Sequence, residues 1–233
     1  MKNIDVMILC GGLGKRLRVM VSDRPKSLAE INGIAFLDIL IQHVASFGLK
    51  RFILCSGYMG DTIREHYQQI PGALEIVFSQ EKEPLGTGGA IKNARSLIQS
   101  SPFLVLNGDS FCKFDLRKFY KFHLIKKAIL SIVLSKLKND QSSGIVILDQ
   151  DKRIVEFKEK AELTRGTYSS AGIYLMEQEI FQIMKNKMVF SLEYDIFPAL
   201  TVKDCYGYYC KNCFIDIGTP QNLMKASDFI KHA

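Results

Sequence analysis

Five segments of the 233-residue chain carry residues that handle phosphate and metal, all but Pro25-Lys26 beside an apolar or strand-like run. Gly11-Gly12-Leu13-Gly14-Lys15-Arg16-Leu17 follows the apolar run 6–10. Glycines there let backbone N–H groups close on phosphate oxygens with no Cβ in the way, and the cations beside them neutralise charge. The segment fits neither of two common nucleotide motifs. The dinucleotide fingerprint fails at its third glycine, which is Leu17, and the next strand ends Cys55-Ser56 with no ribose acid. A P-loop fails because Arg16 follows Gly14-Lys15 at the wrong spacing. It therefore reads as a loop for a polyphosphate, with a plain glycine turn as the alternative. Pro25-Lys26 fixes the chain and aims one cation, although an isolated lysine there is equally a solvated one. Asn107-Gly108-Asp109 closes the apolar run 103–107, and Phe214-Ile215-Asp216-Ile217-Gly218-Thr219-Pro220 supplies a second aspartate. If both reach one site they suit Mg²⁺, which takes one or two carboxylates plus phosphate oxygens. The segment 81–89, Glu-Lys-Glu-Pro-Leu-Gly-Thr-Gly-Gly, is a second glycine-rich loop. It can pack on the flat face of a base, and Thr87 can also cap a helix starting at Ala90.

Those segments need elements that gather strand ends. Runs 6–10, 51–56, 74–79 and 103–107 read as strands. Between them, Phe36, Ile39, Leu40, His43, Val44 and Phe47 form one helical stripe, followed by Gly48 as C′ residue. Helices over 61–70, stopped by Pro71, and over 90–98 complete the alternation. Alternation of this kind predicts an α/β fold with a parallel sheet covered on both faces, and ligands then bind beyond the carboxyl ends of the strands. The second half is less regular. It reads as a hairpin of 145–148 and 154–158, a strand over 170–176, a helical stretch over 177–185, and a last helix opened by Thr219-Pro220. Segments 206–210 and 213–217 read as two strands joined by a Lys211-Asn212 turn. The chain is expected to be one domain with an inserted hairpin region near 140–165.

Composition limits the classes. With 31 Lys+Arg and 24 Asp+Glu the net charge is +7, and 47% hydrophobic with 24% charged residues excludes a disordered chain, a fibrous repeat and a coiled coil. No apolar run reaches the roughly 20 residues of a membrane span. The first residues lack a signal-peptide pattern, so a cytoplasmic protein is expected. The positive balance suits an anionic partner. The basic cluster 117–127 lies on a helix-like segment with Leu116, Phe119 and Phe122 apolar, and reads as a solvated face. No basic–aromatic interleaving suggests nucleic acid. Of six cysteines, Cys210-x-x-Cys213 is half of what structural zinc needs and reads as two residues flanking a turn, with a metal or redox pair as the alternative. His43, His66, His123 and His232 all fall in helix-like segments and carry no expected catalytic role.

Taken together, Gly11-Gly12-x-Gly14-x-Arg16-Leu17 with Pro25-Lys26 resembles the signature of the sugar-1-phosphate nucleotidyltransferases. Further blocks follow in that family's order: 84–90, 107–110, 157–160, 171–174, 191–195 and 214–220. The Pro-Leu-Gly-Thr-Gly-Gly-Ala and Ser-Leu-Glu blocks look most like those of its heptose 1-phosphate guanylyltransferase group. The resemblance implies a Rossmann-like, mostly parallel mixed sheet flanked by helices (the nucleotide-diphospho-sugar transferase fold) with a small β-hairpin insertion. It also implies a single domain over 1–233, with 1–110 serving the nucleotide and 111–233 the sugar phosphate. Leu9, Gly11, Gly12, Gly14, Lys15, Arg16, Gly88, Asn107 and Gly108 would bind the nucleoside triphosphate, GTP in that group. Gly88 would approach the base and Arg16 the departing pyrophosphate. Lys26 would sit over the α-phosphate, and Asp109 and Asp216 would hold Mg²⁺. Gly144, Glu159, Lys160, Gly172 and Glu193 would meet the sugar 1-phosphate, with Lys160 on its phosphate. Catalysis would rest on Arg16, Lys26, Asp109 and Lys160.

The implied reaction is in-line attack of the sugar phosphate on the α-phosphorus with release of pyrophosphate, giving a nucleotide sugar for surface polysaccharide such as capsule or lipopolysaccharide. The nucleophile is already anionic, so positioning and charge neutralisation are the task, not general base catalysis. Lys15 and Ser27 depart from the family, where Thr and Pro are frequent. No room is expected after the last helix for a fused acetyltransferase repeat. Mannose-1-phosphate guanylyltransferase, or a uridylyl or cytidylyl relative, is the nearest alternative activity. A catalytically silent regulatory subunit is a second alternative, disfavoured because the charged residues are all present. A nicotinamide dehydrogenase is a third and weaker reading, and the motif failures above argue against it.

Overall fold

The computed structural model describes residues 3–14, 16–17, 21–68, 72–136, 145–158, 167–184, 187–200, 204–211 and 214–231. The sequence calls on Lys15, Gly144, Glu159, Lys160, Cys213 and His232 lie outside the described residues. The strands are β1 (Val6–Leu9), β2 (Glu30–Ile31), β3 (Ile34–Ala35), β4 (Arg51–Ser56), β5 (Glu75–Gln80), β6 (Phe103–Asn107), β7 (Ser110–Cys112), β8 (Leu130–Lys136), β9 (Ile145–Leu148), β10 (Ile154–Lys158), β11 (Thr167–Met176), β12 (Cys205–Tyr209) and β13 (Phe214–Asp216). The helices are α1 (Phe36–Ala45), α2 (Gly60–Gln68), α3 (Gly86–Asn93), α4 (Leu116–Lys126), α5 (Phe197–Leu200) and α6 (Pro220–Lys231).

Strands β5, β4, β1 and β6 lie side by side and parallel, as the alternation predicts. The long strand β11 then runs antiparallel to β6. On its other edge it pairs with β8, and β8 takes β12 in parallel. The antiparallel hairpin β9–β10 joins at the other end of β11. The result is a mostly parallel mixed sheet of nine strands. A buried parallel strand points alternate side chains to opposite faces, and each face must be covered. Val6 and Ile8 pack with Phe36, Leu40, Ile63, Phe119 and Ala226 of α1, α2, α4 and α6. Met7 faces the other way, toward Ala90, Ile91 and Phe197 of α3 and α5.

Several local expectations are corrected. Segments 206–210 and 213–217 do not form a hairpin: β12 takes the open edge of β8, while β13 pairs antiparallel with β7. A stronger hydrogen-bonding edge elsewhere outweighs the two-residue turn that a local reading favours. The helix expected over 90–98 starts four residues earlier, at Gly86, and its Leu85 N-cap position has no side-chain cap; a 3₁₀ turn Arg95–Leu97 follows it. Among the described residues of 177–185, a 3₁₀ turn, Gln178–Gln182, forms in place of the expected helix. The Thr219 cap holds, its Oγ1 accepting the Asn222 N–H at 3.3 Å. Gly48 takes the left-handed conformation, φ +92, but one residue beyond the C′ position expected for it, because the C-cap is Ser46. Strands β7 and β8 carry no alternating pattern and were not expected. Among the described residues no helix is long and apolar enough to cross a membrane.

Candidate active site

The carboxyl ends of β1 and β6 open into a cleft of about 460 Å³. Leu9, Gly11, Gly12, Lys26, Thr87 and Asp109 are among its lining residues, so four segments of the chain meet there. The glycines have separate reasons. A Cβ on Gly11 would stand 2.7 Å from Glu81 Oε1 and 2.9 Å from the Gly57 nitrogen. Gly14 adopts φ +58, and a Cβ on it would stand 3.2 Å from the Lys26 Cβ. A Cβ on Gly12 would meet nothing within 4 Å among the described residues, and Gly12 borders the open cleft. At the neighbouring strand end, Gly108 donates its N–H to the Leu9 carbonyl at 2.9 Å, which locks the two loops together.

Pro25, at φ −65 and ψ 147, leads the chain into a 3₁₀ turn that begins with Lys26. That turn sends Lys26 Nζ to 2.8 Å from Asp109 Oδ2, in a half-buried ion pair. Asp109 Oδ1 accepts from Ser110 at 3.0 Å. The β7–β13 ladder pairs Ser110 with Asp216, so the second aspartate sits across the ladder from the residue after Asp109. Asp216 accepts from the Gly218 N–H at 2.8 Å and from Asn222 at 3.0 Å. Gly218 is the point of convergence. A Cβ there would lie 2.7 Å from Asp216 Oδ1, 3.2 Å from Lys26 Nζ and 3.5 Å from Arg16 Nη2. Arg16, Lys26 and Asp216 therefore gather around the space a Gly218 Cβ would fill, and Asp109 joins them through its ion pair with Lys26.

Among the described residues no group of three or more His, Cys, Asp or Glu could hold a metal. Two carboxylates at the mouth of a phosphate cleft are nonetheless the donor set Mg²⁺ uses when phosphates and water complete its shell. The space beside Gly218 and the all-oxygen donors fit that ion. The ammonium of Lys26 meanwhile compensates the Asp109 charge.

A second cluster lies along the same cleft. Thr87, in the first turn of α3, donates to Glu193 Oε2 at 2.7 Å. Ser191 donates to the same oxygen at 2.7 Å, and the Tyr174 hydroxyl approaches Oε1 at 3.4 Å. Burial pushes the Tyr174 hydroxyl well up, with the charges of Glu193 and Asp109 adding to it. Gly172 adopts φ +68 where β11 shifts register, and a Cβ on it would meet the Asn107 amide at 2.7 Å. Asn107 lines the cleft, and its Oδ1 is buried without a partner among the described residues, as is Ser27 Oγ.

Gly88 stands elsewhere. It is not among the cleft-lining residues, its N–H goes to the Phe190 carbonyl at 3.1 Å, and a Cβ on it would sit 2.3 Å from the Phe190 ring. Its missing side chain thus makes room for Phe190. The sequence reading also passed over Glu81, whose carboxyl lines the cleft. Burial pushes its pKa up, against the pull of the Leu85 N–H at 3.0 Å. Its place just after β5, at the carboxyl end of a parallel strand, was the available signal.

Fold and site together define an α/β protein with a cleft at its strand ends, where cations and two acids come together. Residues 5–233 match the nucleotidyl transferase family, and the chain belongs to it. It is 35% identical to the D-glycero-alpha-D-manno-heptose 1-phosphate guanylyltransferase of Aneurinibacillus thermoaerophilus, covering 98% of this chain and 99% of that one. The enzyme of the same name from Campylobacter jejuni is 32% identical, with 94% and 96% covered. Among solved structures, HddC from Yersinia pseudotuberculosis complexed with GMP-PN superposes with a TM-score of 0.84 at 35% identity, covering 97% of this chain and 98% of that one.

Proposed function

We propose that this chain transfers GMP from GTP to D-glycero-D-manno-heptose 1-phosphate, releasing pyrophosphate. The observation that carries the reading is the convergence of Arg16, Lys26, Asp109 and Asp216 around Gly218 at the mouth of the cleft. The near full-length likeness to two enzymes of that name supports the choice of substrates. Residues 1–110 serve the nucleotide and 111–233 the sugar phosphate, except that Asp216 reaches back to the nucleotide side through the β7–β13 ladder.

The backbone of Gly11, Gly12 and Gly14 receives the triphosphate, and Arg16 meets the pyrophosphate as its charge grows. Lys26 lies over the α-phosphate, where negative charge concentrates in the transition state. Asp109 and Asp216 would hold Mg²⁺, which supplies charge neutralisation across the phosphates when bound. Glu193 orients the sugar through its hydroxyls. Glu159 and Lys160 meet the sugar 1-phosphate, with Lys160 on its phosphate. Glu81 suits guanine: a carboxylate accepts from two adjacent donors, and guanine alone among the bases offers neighbouring N1–H and 2-amino groups. The product feeds surface polysaccharide assembly in the cytoplasm.

The test is a matrix of GTP, ATP, UTP, CTP and dTTP against heptose, mannose and glucose 1-phosphates, read as pyrophosphate release with Mg²⁺. The reading expects GTP with the heptose 1-phosphate to give the highest kcat/KM. Silence of every combination would favour a regulatory subunit, and preference for another pair would move the substrate assignment. With Glu81→Gln, the preference for GTP over the other nucleotides is expected to fall about tenfold or more.

A further inference from the structure

The second glycine-rich loop and the segment carrying Glu193 are built as one unit. Phe190 accepts the N–H groups of Gly88 and Gly89 at 3.1 and 3.2 Å and donates its own to the Leu85 carbonyl at 3.0 Å. Gly86, Gly88 and Gly89 each lack the Cβ that would strike Phe190 or Met188. One side chain crosses this junction from the cleft to the acid. The Thr87 hydroxyl accepts the Leu192 N–H at 2.9 Å, so its own proton is left to point at Glu193 Oε2, 2.7 Å away. Ser191 Oγ likewise accepts the N–H groups of Glu193 and Tyr194, at 3.1 and 3.4 Å, and turns its proton to the same oxygen. Two hydroxyls whose acceptor roles are already taken thus converge on one oxygen of the carboxylate. Oε1 is left with the long Tyr174 contact alone among the described residues.

We infer that Thr87 is a positioning residue: reaching from the nucleotide side of the cleft, it pins Oε2 of Glu193 so that Oε1 is presented to a hydroxyl of the sugar 1-phosphate. The inference rests on the reading of Glu193 as a sugar contact. Ser191 comes from the same turn as Glu193 and fixes it locally. Thr87 comes from 106 residues away and ties it to the wall of the nucleotide cleft. Losing a hydrogen bond to a charged group commonly changes an equilibrium by about tenfold or more.

The experiment compares wild type, Thr87→Val, Thr87→Ser and Glu193→Gln by steady-state kinetics, with thermal melting as a check on folding. The sugar 1-phosphate used is the one the wild type turns over best. Thr87→Val keeps the shape and removes the hydroxyl, so the KM for sugar 1-phosphate should rise about tenfold while that for the nucleotide stays within about twofold. Thr87→Ser restores the donor and should lie within about twofold of wild type in both. In the Glu193→Gln background Thr87→Val should add less than about a further twofold. An equal rise in both KM values, or a serine variant as impaired as the valine one, overturns the assignment. If Glu193→Gln raises the sugar KM and Thr87→Val does not, the role of Thr87 falls while that of Glu193 stands. If Glu193→Gln itself leaves that KM unchanged, the sugar reading fails first and takes the inference with it.

Discussion

Lys26 sits at the narrowest point of the design. Its ammonium contacts Asp109 at 2.8 Å, its stem lies under Gly14, and it faces Gly218 across the space shared with Arg16. In the proposed reaction, a cation so placed would act on charge that appears in the transition state more than on the bound nucleotide. Lys26→Ala is therefore expected to lower kcat by about 100-fold or more with a much smaller change in nucleotide KM. Steady-state kinetics with varied nucleotide checks this, and unchanged constants would remove Lys26 from the reacting centre. At this scale the sequence was readable where residue type alone limits the chemistry: a proline before a lysine, and two aspartates at strand ends. It was unreadable where the partner is distant. Nothing local says that Thr87 serves Glu193 and caps no helix, or that Gly88 yields space to Phe190.

At the scale of elements, α3 is set by its docking on 188–190. Adding a Cβ at Gly88 drives it into the Phe190 ring, and overpacking of that kind costs about 1–3 kcal/mol. Gly88→Ala should lower the melting temperature by several degrees, and by clearly less when Phe190 is also alanine. Equal losses in the two backgrounds would show that Phe190 does not dictate the glycine.

Helix α1 carries a different liability. His43 lies among Phe47, Phe111 and Phe114, with ring centroids at 5.6, 5.0 and 6.2 Å, and its Nε2 is buried without a partner among the described residues. Burial, with the charge of Lys113, holds its pKa below the usual imidazole value. A histidine kept neutral in the folded state gives up stability as pH falls below about 6.5, because the unfolded chain takes up the proton first. His43→Phe should therefore raise the melting temperature, and more at pH 5.5 than at pH 7.5. A gain independent of pH would contradict the titration argument. The elements themselves were legible where periodicity was strong. Strands β4 and β6 match their expected bounds residue for residue, as does the hairpin β9–β10. The pairing of β12 and β13 was not legible, because it depends on edges left open by β8 and β7, far away in the chain.

Across the whole molecule, one sheet brings the two halves of the chain to a single cleft. Strand β11 pairs with β6, and β13 returns at the end of the chain to set Asp216 beside the Asp109 segment. The electrostatic problem of joining two anions is met only when both halves are in place. That makes the aspartate pair the sharpest probe of the reading. The decisive measurement is pyrophosphate release from GTP and heptose 1-phosphate, with Mg²⁺ and with chelator, in wild type, Asp109→Asn and Asp216→Asn of matched melting temperature. Release should require both substrates and the metal, and should fall by about 100-fold or more in either variant. Release that survives chelation, or that either variant sustains at the wild-type rate, would contradict a metal-assisted nucleotidyl transfer in this cleft.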